Sequence, residues 1–167
     1  KIQRPAQKIR LCTALLKGDK NEFVIQKATE LGADEILFFA SRRCVAKAEG
    51  KEQAKRARFE KAAKLAAMQC GADTVPVIGD LITFDEMKQQ LQPENTAFFY
   101  EKATLLYSRF LPRLKTAPQI TLVTGPEGGF SPEEAEQLQA KGILPLSLGK
   151  RILRAETAPI CAIAVLL

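Results

Sequence analysis

Residues 119–134 read Gln-Ile-Thr-Leu-Val-Thr, then Gly-Pro-Glu-Gly-Gly-Phe, then Ser-Pro-Glu-Glu. The first six carry no charge and are rich in β-branched side chains, the composition of a strand. Ser131, followed by Pro132 and, three positions after itself, by Glu134, is the signature of a capped helix start, with Pro at the first helical position. A strand that feeds a helix through a glycine-rich turn is one unit of a parallel α/β sheet.

The same alternation extends in both directions. Strands are predicted over 9–16, 35–40, 74–78, 96–100, 119–124 and 143–148. A helix over 21–31 starts with Asp19 and Glu22 spaced as a capping box and stops at Gly32. An Ala-rich helix over 51–70 is closed by Gly71, and Thr83 with Glu86 caps another. Residues 105–115 are interrupted by Pro112, which leaves their assignment open. A last helix is predicted over 156–167. Six strands alternating with helices make a mostly parallel sheet with helices on both faces, and chain physics favours an unknotted path through it.

The 167 residues carry 25 Lys+Arg against 19 Asp+Glu, a net charge of +6. Between Arg42 and Lys64 nine basic residues stand against three acidic ones, so this segment holds the whole surplus. Charged residues interrupt every apolar run before it could span a bilayer, and no secretory signal opens the chain; a soluble, cytoplasmic protein without a membrane partner is expected. Cys12, Cys44, Cys70 and Cys161 are widely separated, which predicts reduced packing thiols and no metal site. Histidine is absent, excluding His-dependent triads. The chain begins at Lys1, and residues 1–8 are polar like a linker from a missing N-terminal domain, leaving 9–167 as the folded domain.

Two loops look chemical. The turn Gly125-Pro126-Glu127-Gly128-Gly129-Phe130 has three glycines in five positions, which admits close approach of backbone to a ligand. It is neither the dinucleotide GxGxxG nor a P-loop, so a nucleotide-dependent oxidoreductase is disfavoured. The second, Gly149-Lys150-Arg151-Ile152-Leu153-Arg154-Ala155-Glu156-Thr157-Ala158, puts an apolar pair between cations. Such loops at consecutive strand ends can enclose one small ligand.

With GPEGGFSPEE at 125–134, LGKRILRAETA at 148–158, KGD at 17–19 and IQKATELG at 25–32, the sequence resembles the RsmE-type ribosomal RNA uridine-N3 methyltransferases of the SPOUT class. The resemblance runs from about residue 9 to the end. It implies S-adenosylmethionine as methyl donor, a uridine of 16S ribosomal RNA in the small subunit as substrate, a C-terminal trefoil knot and a homodimer. It also implies a preceding PUA-like β-barrel, outside this chain. The family's usual Arg after the glycine that ends the long helix is replaced, since the sequence reads Gly71-Ala72-Asp73.

Carried onto matching positions, the resemblance assigns Gly125, Glu127, Gly128, Gly129, Leu148, Gly149, Ile152 and Leu153 to the cofactor pocket. Methylation at uridine N3 requires loss of an imide proton, and a nearby cation reduces that cost. Arg154 is the candidate for this role, with Glu156 as proton acceptor, as orienter of Arg154, or as a plain helix cap. Lys27 and Glu30 lie in the matching first helix, but an exposed helix ion pair or a packing role explains them without catalysis. Arg42 and Arg43 would hold RNA phosphates, while Lys150 and Arg151 would contact RNA beside the chemistry. A non-catalytic RNA-binding or ribosome-assembly protein with the same fold is the alternative.

Overall fold

The computed structural model describes residues 7–43 and 51–167. Its centre is a parallel sheet of β1 (Lys8–Ala14), β2 (Glu35–Ala40), β3 (Val77–Ile78), β5 (Thr96–Phe99), β6 (Gln119–Thr124) and β7 (Pro145–Leu146), in the order β3-β2-β1-β6-β5-β7. A further short strand, β4 (Ile82–Thr83), pairs with β2. Lys8 pairs with Gln119, so the sheet already includes the last residue of the stretch expected as linker. Cys44, Lys47 and residues 1–6 lie outside the described residues.

Continuous apolar strands supply both faces. Ile9 and Leu11 of β1, with Ile120 and Leu122 of β6, join one core, while Cys12, Ala14 and Val123 join the other. The first core is covered by α1 (Lys20–Glu30), α2 (Glu52–Cys70), α4 (Tyr107–Leu114) and α6 (Thr157–Ala164), through Val24, Phe59, Phe110 and Ile163. The second is covered by α3 (Phe84–Gln89) and α5 (Pro132–Ala140), through Met87 and Leu138. This is the two-faced α/β architecture that the alternation predicts.

Several boundaries differ. Of the strand expected over 74–78 only Val77 and Ile78 pair, because Pro76 has no N–H to give the ladder. The 143–148 run narrows to Pro145 and Leu146, with a separate bridge between Leu106 and Ser147. Residues 107–114 are helical despite Pro112. Pro112 removes one backbone bond, and the burial of Tyr107, Phe110 and Leu114 along one face outweighs that loss.

Capping boxes form at Thr83–Glu86 and Ser131–Glu134, but not at Asp19. There Glu22 pairs instead with Arg58, and buried Asn21 brackets Leu16, accepting from its N–H at 2.8 Å and donating to its carbonyl at 2.7 Å. Gly71 ends α2 in a left-handed conformation, φ 69°. Among the described cysteines Cys12 is buried, and burial pushes its thiol up to about 12, while Cys70 is exposed, contrary to a packing role. All three described thiols are free.

Candidate functional site

β1 and β6 are central neighbours from which the chain departs in opposite directions, towards β2 and β3 on one side and β5 and β7 on the other. Such a switch point is where α/β sheets leave a crevice beyond the carboxyl ends of their strands. A cleft of about 590 Å³ opens there, walled by residues 99–101 after β5, 125–130 after β6 and 146–156 after β7, with Lys20 from α1. That volume lies within the usual range for small-ligand sites.

The glycine loop is held from below and from the side. Phe130 is buried, stacked on Phe39 with ring centroids 6.2 Å apart and edge-on to Phe98 at 5.0 Å. A Cβ on Gly125 would meet the Phe130 ring at 3.0 Å, so glycine is what lets the strand turn over this anchor. Gly129 has φ 69°, and a Cβ there would lie 3.1 Å from both carboxylate oxygens of Glu101. Arg43 Nη1 donates to the Gly128 carbonyl at 2.9 Å.

Behind the loop, Glu134 is fully buried and its carboxylate accepts from Ser131 N at 2.9 Å, Arg42 N at 2.9 Å and Ser41 Oγ at 3.2 Å. A carboxylate removed from water persists only when donors of this kind surround it. It ties the segment after β2 to the start of α5.

On the opposite side, Glu127 accepts from the Lys17 N–H at 2.9 Å, and Lys20 Nζ lies 3.5 Å from Glu127 Oε1 and 3.6 Å from Glu156 Oε2. Burial pushes the Glu127 carboxyl up, but the N–H groups of Lys17 and Glu127 and the charge of Lys20 outweigh it, holding the group below its ordinary value. Glu156 precedes α6 without capping it, and its Oε2 is buried and receives no hydrogen bond among the described residues. Thr124 Oγ1, immediately before Gly125, is likewise buried without a partner.

The fold thus brings Gly125, Glu127, Gly128, Gly129, Leu148, Gly149, Ile152, Leu153, Lys150, Arg151, Arg154 and Glu156 to one cleft. Arg154 is exposed and makes no ion pair among the described residues; Glu156 faces Lys20, so it neither orients Arg154 nor caps the helix. Ile152 is 86% exposed, an apolar side chain held out in water at the cleft mouth. Arg42 is exposed outside the cleft lining, while Arg43 serves the glycine loop. Lys27 and Glu30 pair with each other at 2.9 Å on α1, apart from the cleft. Three participants were not legible in the sequence: Lys20, one residue beyond the KGD motif, Glu101, and Glu134, which reads there only as a cap.

Fold and cleft define a parallel α/β domain with a small-ligand site at its switch point, lined by both carboxylates and cations. The model of the RNA methyltransferase domain family matches residues 3–167, and the chain belongs to that family. It is 36% identical over 166 residues to ribosomal RNA small subunit methyltransferase E of Bacillus subtilis, covering 95% of this chain and 65% of the relative. The structure of ribosomal RNA small subunit methyltransferase E from Neisseria gonorrhoeae bound to S-adenosyl methionine superposes with a TM-score of 0.86 at 30% identity, covering 95% of this chain and 64% of that one. A Legionella pneumophila structure with bound SAM gives 0.89 at 32% identity, covering 96% and 66%. The fold is therefore that of the SPOUT methyltransferases. The chain spans just under two thirds of the length of the Bacillus subtilis relative.

Among the described residues no helix is long and apolar enough to cross a membrane, and no group of three His, Cys, Asp or Glu could hold a metal ion.

Proposed function

We propose that this chain is the catalytic domain of an S-adenosylmethionine-dependent methyltransferase that modifies a uridine at N3 in 16S ribosomal RNA. The observation that carries the reading is the charge gathered in one cleft: Glu101, Glu127 and Glu156 line it with Lys20, while Lys150, Arg151 and Arg154 stand on the 149–154 loop. A cationic donor suits the first and an anionic nucleic acid the second.

The residues present fit the donor. Gly125, Gly128, Gly129 and Gly149 line the cleft with backbone that carries no side chain, and two buried oxygens, of Thr124 and Glu156, receive no hydrogen bond among the described residues. Gly125, Gly128, Gly129 and Gly149 would hold it through backbone and shape, with Leu148, Ile152 and Leu153 as the apolar wall for adenine and Glu127 near its positive end. When bound, the donor supplies an electrophilic methyl group.

The chain's own task is the uridine. Each pK unit by which the imide exceeds ambient pH costs about 1.4 kcal/mol. Arg154, free of any carboxylate among the described residues, offsets that cost by stabilising the negative charge left on the uracil. Glu156, whose buried Oε2 receives no hydrogen bond among the described residues and lies 3.6 Å from Lys20 Nζ, is the proton acceptor. Lys150 and Arg151, both exposed, position RNA at the cleft mouth, with Arg42 extending the phosphate contacts.

A C-terminal trefoil knot, a preceding RNA-binding domain joined near residue 8, assembly with the small ribosomal subunit and a cytoplasmic site of action belong to the same proposal. So does a homodimer, which the exposed apolar side chains of Phe23 on α1 and of Val165 and Leu167 after α6 support.

The test supplies labelled donor and small ribosomal subunits to the full-length protein, wild type and Arg154→Ala, and maps the modified nucleotide. N3-methyluridine from the wild type is expected, with Arg154→Ala binding donor normally but failing to transfer. Donor binding with no transfer by the wild type would favour the non-catalytic alternative.

A further inference from the structure

We propose that Glu101 is a ligand-contacting residue of the cleft, whose carboxylate accepts hydrogen bonds from the polar half of the methyl donor, its ribose hydroxyls or its α-ammonium group. This rests on the reading that the cleft binds S-adenosylmethionine. Among the described residues three carboxylates line the cleft. Glu127 is occupied by the Lys17 N–H and by Lys20, and Glu156 is paired with Lys20. Glu101, at the carboxyl end of β5, has neither a hydrogen bond nor an ion pair among the described residues, although three cations stand on the 149–154 loop of the same cleft.

Its position is built rather than incidental. Tyr100 beside it is stacked on Phe98 with centroids 5.8 Å apart, which fixes the end of the strand. Gly129 turns at φ 69°, and its missing Cβ leaves room for both Glu101 oxygens, 3.1 Å from where that atom would be. The carboxylate therefore rests against the glycine loop. A ligand lying over Gly129 would come within reach of Glu101. A carboxylate presents two oxygens with about four lone-pair sites, which matches a vicinal diol or an ammonium, whereas adenine is served by backbone and apolar wall.

The experiment is calorimetric titration of the full-length protein with S-adenosylmethionine, S-adenosylhomocysteine and 5′-methylthioadenosine, for wild type, Glu101→Ala, Glu101→Gln and the exposed neighbour Lys102→Ala. Hydrogen bonds to a charged acceptor predict that Glu101→Ala weakens binding by about tenfold or more, and Glu101→Gln by less. Lys102→Ala should bind as wild type, and all melting temperatures should stay together. Loss with all three ligands places Glu101 on the ribose; loss with the first two alone places it on the ammonium, which 5′-methylthioadenosine lacks. Wild-type affinity in Glu101→Ala for all three overturns the inference. Failure of the wild type to bind any of them overturns the cofactor reading itself.

Discussion

Lys20 Nζ stands 3.6 Å from Glu156 Oε2, joining the first helix to the residue that precedes the last. The same ammonium lies 3.5 Å from Glu127 Oε1, so one side chain gathers three segments around the cleft. Partly exposed pairs of this kind contribute only about 0.2–1 kcal/mol each to stability. Their effect on a site is larger, because removing the shared cation leaves two carboxylates facing each other. Lys20→Met is therefore expected to lower methyl transfer by about tenfold or more while shifting stability by less than about 1 kcal/mol. Single-turnover rates and a denaturation curve on the same preparation check both halves.

Gly129→Ala should damage the site from two directions. The left-handed conformation at φ 69° costs a non-glycine residue about 1–2 kcal/mol, and the new methyl would press on Glu101 at 3.1 Å. Lower melting temperature and weaker donor binding are expected together. Gly128→Ala is the milder partner, since its Cβ would sit 3.4 Å from Arg43 Cβ and its φ is not positive. Equal behaviour of the two variants would contradict the strain assigned to Gly129.

Glu134→Gln keeps shape but removes the charge that three donors surround. Hydrogen bonds to a charged group are stronger than neutral ones, and a buried donor left unmatched costs about 1–3 kcal/mol. A loss of that size in urea unfolding is predicted. Faster amide exchange in residues 125–130 should accompany it, since the segment after β2 would no longer be tied to the start of α5.

Glu127 sets a pH dependence on the acid side. Its folded carboxyl lies below the ordinary value, so unfolding takes up protons. Its stabilising contribution is full above the ordinary carboxylate range and is lost as pH falls through the folded value. Melting temperatures of wild type and Glu127→Gln should therefore run parallel above about pH 6 and converge under acid. A gap that widens as pH falls would reverse the assigned sign.

Much of the fold was legible because local rules and tertiary packing agree in these segments. The largely apolar runs at β1, β2 and β6 suit strands buried on both faces, and Ser131-Pro132 with Glu134 starts α5 as its caps require. Where packing overrides local preference the sequence is ambiguous or misleading. Pro112 sits inside α4 because Tyr107, Phe110 and Leu114 are drawn into the core, and Glu22 leaves its capping position for Arg58, a partner 36 residues away.

The sequence by itself determined the alternation of strands and helices, the two loops that meet in the cleft and the family to which they belong, because these depend on residue type and short spacing. Only the tertiary structure decided which charges remain free. Lys20, Glu127 and Glu156 are far apart along the chain and meet because β1 lies beside β6 in the strand order and α6 packs against α1. That order leaves Arg154 and Glu101 unpaired among the described residues and spends Arg43 on Gly128. Periodicity carries no information about such pairings, since they are fixed by which strand ends lie side by side.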